Sequence, residues 1–108
     1  MNGIPIPPDA ARLLERGKIT FPEALAFLGI GRTLGYPMGK RYLRRVAKAT
    51  ARVAFDLEEL EPRRDPKTGA WREVPCYQIG GKFMARADLI VPMLYPEVGW
   101  PWSRGRAA

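Results

Sequence analysis

Thr20 stands three residues before Glu23, Pro22 lies between them and Gly29 follows Leu28, so one short helix is bounded at both ends by its own chemistry. The Thr20 hydroxyl and the Glu23 carboxylate suit a reciprocal capping box, and Pro22 falls in the first turn, where a missing N–H costs nothing. Gly29 supplies a left-handed stop that turns the chain sharply toward Ile30. Between these signals Ala24, Leu25, Phe27 and Leu28 make one broad apolar face. A helix that starts at Phe21 and ends in Leu-Gly-Ile has the form of the first half of a helix-turn-helix.

A second helix is expected to open at Arg32 and Thr33 and to run through Tyr36, Met38, Lys40, Arg41, Tyr42, Leu43, Arg44, Arg45, Val46 and Lys48 to about Ala51. Pro37 works against it, because it removes an N–H and crowds the carbonyl of Thr33, and Gly35 weakens the same turn by up to about 1 kcal/mol relative to Ala. The expectation is either a distorted first turn or an effective start near Tyr36. Arg32, Lys40, Arg41, Arg44, Arg45, Lys48 and Arg52 crowd into this stretch of a chain that carries 18 Lys+Arg against 11 Asp+Glu, a net charge of +7. Such an excess attracts nucleic acid, anionic lipid or an acidic protein without choosing among them.

Around this pair the chain divides into shorter pieces. Residues 1–8 hold three prolines and read as an extended arm, after which Asp9 can cap a helix over 10–16 that stops at Gly17. An acidic run with Asp56, Glu58, Glu59 and Glu61, followed by turn residues over 62–69, reads as an exposed insertion at about 52–70. Residues 71–79 alternate well enough for a strand, Gly80-Gly81 suits a two-residue primed turn, and 82–84 can pair back as a hairpin with Lys82 at its tip. Residues 87–94 read as a short helix interrupted at Pro92, and the tail over 95–108 carries Trp100 and Trp102.

Several function classes find no support in these residues. At 108 residues the chain is expected to form one domain, over about 9–94, with no length for a separate catalytic unit. It has no His, and a single Cys, Cys76, offers neither a zinc site nor an internal disulfide. The acidic run lacks the partners of a catalytic pair and reads as a solvated helix end. No enzyme activity, metal or cofactor is therefore expected. No apolar stretch nears the roughly 18 residues needed to span a bilayer. With no secretory leader, the expectation is a protein of a reducing bacterial or phage-infected cytoplasm with no membrane partner.

Taken in order, Pro22-Glu23-Ala24, Leu28-Gly29-Ile30, Arg32-Thr33-Leu34-Gly35-Tyr36, Ile79-Gly80-Gly81-Lys82 and Arg86-Ala87-Asp88-Leu89 resemble the excisionase-like and MerR-like winged helix-turn-helix family of small phage and mobile-element proteins. The resemblance covers roughly residues 19–94. The chain departs from the family at Pro37 and in the roughly thirty residues between recognition helix and wing. The resemblance implies an α+β, mainly α fold, a winged helix-turn-helix with a short β-hairpin wing. It further implies a second helix in the major groove of double-stranded DNA and a wing on the neighbouring backbone. Arg32 and Thr33 then become candidates for base edges or phosphate, and Tyr36 for phosphate or for packing on the wing. Lys40, Arg41, Arg44, Arg45, Lys48 and Lys82 become candidates for phosphate neutralisation. The implied role is that of an excisionase, a recombination directionality factor, or of a small transcriptional regulator. The former brings an integrase as partner and self-association on adjacent DNA sites.

Two rivals stand beside it. A protein-interaction adaptor would dock an integrase or other partner through the acidic insertion and through Trp100 and Trp102, an aromatic tail that could equally fold onto its own core. RNA binding through the same cations is the other, against which counts the lack of an aromatic RNP-type strand.

Overall fold

A computed structural model describes residues 6–50 and 60–101, with main chain alone at 47–50. The fold is α+β and mainly helical. In chain order it runs α1 (Pro8–Arg16), β1 (Lys18–Thr20), α2 (Phe21–Leu28), α3 (Arg32–Thr50), β2 (Tyr77–Ile79), β3 (Lys82–Arg86) and α4 (Ala87–Leu94), closed by a single 3-10 turn over Pro96–Val98. The three strands form an antiparallel sheet in the order β1-β3-β2.

α2 is built as its sequence dictates. The Glu23 N–H donates to the Thr20 hydroxyl at 3.2 Å while the Thr20 N–H donates to the Glu23 carboxylate at 2.9 Å. Gly29 closes the helix in the left-handed region at φ 72°. Arg16 adds a hydrogen-bonded ion pair to the same carboxylate, Nη2 to Oε1 at 3.0 Å. That guanidinium and the Thr20 main chain hold the Glu23 carboxyl down at about 2.

α3 starts at Arg32, without the delay to Tyr36. Pro37 is its sixth residue and lies on the exposed face, as does Thr33, so the carbonyl that loses its intrahelical partner is left to water. Gly35 and Gly39 face the other way. A methyl at Gly35 would lie 2.5 Å from the Leu25 side chain, and one at Gly39 would lie 2.7 Å from Cζ of Phe21 and 3.2 Å from Sγ of Cys76. The two glycines lower helix propensity and in exchange let α3 press directly onto α2 and the core.

That core gathers Ile19, Phe21, Ala24, Leu25, Met38, Val74, Cys76, Ala85, Ala87, Ile90 and Met93. A smaller cluster of Ala10, Val91 and Val98 ties α1 to α4 and the 3-10 turn. Cys76 donates to the Gly39 carbonyl at 3.5 Å, and burial pushes its thiol up to about 12. It is a packing residue.

Several sequence expectations are corrected. Asp9 does not cap α1, which begins at Pro8; Pro at the first helical position supplies a preset φ in place of a side-chain cap. Lys18–Thr20 form a strand that alternation over three residues could not announce, pairing Lys18 with Arg86 and Thr20 with Met84. Residues 72–76 are not strand. The Val74 N–H reaches the Met38 carbonyl at 3.4 Å, toward α3 rather than toward a neighbouring strand, and Pro75 has no N–H to give. Pro92 does not interrupt α4: with Ala87, Leu89, Ile90, Val91 and Met93 also buried, packing outweighs the lost hydrogen bond.

The stretch read as an exposed insertion is anchored at its base. Pro62 and residues 73–76 are buried and the described residues 63–72 project between them, while 52–59 lie outside the described residues. The acidic residues Asp56, Glu58 and Glu59 and the arm at 1–5 lie outside the described residues. Among the described residues no helix is long and apolar enough to cross a membrane.

Candidate nucleic-acid interface

Gly29, Ile30 and Gly31 join α2 to α3, a three-residue turn after which one face of α3 packs on α2 and the core and the other is exposed. Gly35, Met38, Gly39 and Tyr42 face inward at helical spacing. Arg32, Thr33, Leu34, Pro37, Lys40, Arg41 and Arg44 are exposed, and no carboxylate interrupts them. From Thr33 to Arg44 this stripe is about 16 Å long at 1.5 Å per residue, a length suited to a helix lying in a DNA major groove.

One flank of the stripe meets the β2–β3 hairpin. Gly80 and Gly81 both have positive φ, 55° and 87°, as a primed two-residue turn requires, and Ile79 pairs with Lys82 and Gln78 with Phe83. Lys40, Leu43, Arg44, Gln78 and Phe83 line a groove of about 390 Å³ between the helix and the hairpin. Tyr36 locks the two together: its ring stands edge-on to Phe21 at 5.0 Å between centroids and packs on Phe83 at 5.6 Å. Of the two roles open to Tyr36, packing against the hairpin is the one built here.

The sequence-nominated cations separate once folded. Lys40 and Arg44 come together in the groove, and Arg32 and Thr33 stand free at the helix start. Arg41 faces outward but gives Nη1 to the Arg72 carbonyl at 2.6 Å. Arg45, adjacent to Arg44 in sequence, is committed internally. Its Nε and Nη2 both reach the carboxylate of Glu73, at 2.9 Å each for the shorter contacts, and Nη2 also donates to the Glu61 carbonyl at 2.7 Å. Glu73 is only 5% exposed and also accepts the Arg63 N–H at 2.9 Å. Arg45 is thus turned onto Glu73 instead of toward phosphate, against the expectation from sequence, since the buried carboxylate offsets its charge and occupies its donors.

Lys82 is exposed beside the turn. Phe83 faces the groove, so by strand alternation Lys82 projects from the other face of the sheet, with Lys18 and Arg86. The Lys48 side chain and Trp102 lie outside the described residues. Trp100, nominated as a partner anchor, is half-buried against the main core, the alternative that sequence left open. A larger hollow, about 510 Å³, lies behind the sheet between Leu14, Lys18, Tyr77, Ile79 and Arg86. Arg86 there is matched by Asp88, Nη2 to Oδ2 at 2.6 Å, which leaves Lys18 as the cation of the hollow without a carboxylate partner among the described residues.

Three features of this surface escaped sequence reading. Leu34, 69% exposed in the first turn of α3, carries no polar signal. Gln78 becomes a groove residue only through its register with Phe83. The cations of 63–72 reach the helix only because Glu73 and Arg72 fasten that loop to Arg45 and Arg41. Among the described residues no cluster of side chains fits a metal ion. Comparison with protein-family models, curated proteins and solved structures finds no match to this chain.

Proposed function

We propose that this protein binds double-stranded DNA as a winged helix-turn-helix, with α2 and α3 as the helix pair and the β2–β3 hairpin as the wing. The observation that carries the reading is the exposed face of α3, seven residues without a carboxylate, flanked by a hairpin across a groove lined by Lys40 and Arg44. In this arrangement Arg32, Thr33 and Leu34 meet base edges, Leu34 as an apolar contact for a thymine methyl. Lys40 and Arg44 neutralise phosphate, and Lys82 meets the backbone from the side of the wing tip. The sequence resemblance adds the role: an excisionase, paired with an integrase and self-associating on adjacent sites, or a small transcriptional regulator. The packing of Trp100 on its own core weakens the part of the adaptor alternative that rested on that residue, while Trp102 lies outside the described residues.

Fluorescence-anisotropy titration of a labelled random-sequence duplex at several salt concentrations tests this. Binding is expected with log K falling linearly against log salt at a slope of about −3 or steeper, since each neutralised phosphate contributes about −0.9. A cognate attachment or promoter site is expected to bind roughly a thousandfold more tightly than random sequence. Absence of duplex binding at low salt refutes the proposal.

A further inference from the structure

The loop over 63–72 is a built projection whose cations the helix and the hairpin leave unused. Its two limbs are joined by main-chain hydrogen bonds, Arg72 N–H to the Arg63 carbonyl at 3.0 Å and Asp65 N–H to the Ala70 carbonyl at 2.7 Å. At the tip, the Gly69 N–H returns to the Asp65 carbonyl at 2.8 Å, and the Asp65 carboxylate accepts the N–H groups of Lys67 and Thr68 at 2.8 and 3.3 Å. Arg64 lies 3.8 Å over the Trp71 ring and donates to the Gly69 carbonyl at 3.2 Å, which stiffens the loop further. The base is fastened to α3 by Arg41, Tyr42 and Arg45.

Arg63, Lys67 and Arg72 remain exposed on this frame. The only carboxylate between 62 and 72, that of Asp65, is turned onto the loop's own amides. The position matters as much as the charge. On α3, Tyr36, Lys40 and Leu43 face the β2–β3 hairpin, whereas Arg41 reaches Arg72 of the loop and Arg45 reaches Glu61 and Glu73 at its base. At 3.6 residues per turn these two sets lie about half a turn apart, with Pro37 and Arg44 between them. The exposed stripe of α3 therefore runs between two projections.

We propose that the 63–72 loop is a second wing, in which Arg63, Lys67 and Arg72 take backbone phosphates of the same duplex on the side of α3 opposite the β2–β3 hairpin. This rests on the placement of α3 in a major groove. A major groove has a phosphate strand along each wall, so a helix with a cationic projection on each flank meets both. Arg64 is not counted, because its guanidinium is stacked on Trp71.

The test is the salt dependence of binding to a duplex of about 20 base pairs for the triple variant Arg63→Gln, Lys67→Gln, Arg72→Gln, with Arg12→Gln on α1 as control. The variant is expected to keep the wild-type thermal midpoint and to bind with a slope shallower by about 2 to 3, about 0.9 for each lost phosphate contact. The control is expected to keep the wild-type slope. Wild-type binding with an unchanged slope in the triple variant overturns the second wing and leaves the proposed function standing. Failure of the wild-type chain to bind duplex at low salt overturns both.

Discussion

Replacing Lys40 and Arg44 together by glutamate is expected to lower affinity for duplex DNA by about a hundredfold or more at ~0.1 M salt and to leave the thermal midpoint within a few degrees of wild type. Both side chains line the groove between α3 and the hairpin, and neither has a carboxylate partner among the described residues. Removing them takes away two counterion-releasing contacts, and the introduced carboxylates then face phosphate, which adds repulsion to the loss. The fold does not depend on either, since surface substitutions away from caps, cores and buried pairs change stability by about 0.5 kcal/mol or less. Equilibrium titration and thermal denaturation of the same preparation check both halves of the expectation.

One residue further on, the outcome reverses. Arg45→Ala is expected to cost about 3 kcal/mol of stability, because among the described residues it leaves the buried Glu73 carboxylate with the Arg63 N–H alone to satisfy it. For a domain of this size the thermal midpoint should fall by more than about 10 °C. The salt slope of the folded fraction should stay at the wild-type value, since Arg45 is a partner of Glu73 and not of phosphate. The double variant Arg45→Met, Glu73→Leu is expected to recover most of the loss, as apolar pairs of similar volume commonly do at buried ion-pair sites. Chemical denaturation of the single and double variants measures this, and equal losses in the two would contradict the role assigned to the pair.

The contrast between Arg44 and Arg45 also marks the limit of what the sequence made legible. A basic run on a helix announces a cationic face but not which member is drawn inward, because the partner that decides it, Glu73, lies 28 residues away in a segment that reads as a strand. Where the deciding chemistry was local, the reading held in α2 and the hairpin turn, though not at Asp9. Thr20, Glu23 and Gly29 define α2 by bonds made within a few residues, and Gly80-Gly81 define the hairpin turn by conformations that glycine alone adopts easily. Where it was tertiary, the reading failed. Pro92 reads as a helix break until burial of its whole helix is counted, and Gly35 reads as a weakness until Leu25 is found against it. The strand at Lys18–Thr20 depends on β3, some sixty-five residues later, for every ladder bond it makes.

The candidate site was half legible for the same reason. Arg32, Thr33, Lys40 and Arg44 follow from the helix alone, whereas Gln78 needs the hairpin register and Arg63, Lys67 and Arg72 need the anchoring of their loop. Tyr36 stood at an even choice between phosphate and packing, and its position between Phe21 and Phe83 favours packing.

The most direct test of the central claim, that the exposed face of α3 and its flanking hairpin form a duplex-DNA interface, is to map amide chemical shifts in a ¹⁵N-labelled sample during titration with a short duplex. The account predicts salt-sensitive perturbations concentrated in residues 32–44 and 78–83, joined by 63–72 where the second wing takes phosphate, with α1 and the 3-10 turn at Pro96–Val98 unmoved. Perturbations confined to α1, α4 and the C-terminal turn, with 32–44 silent, would contradict it.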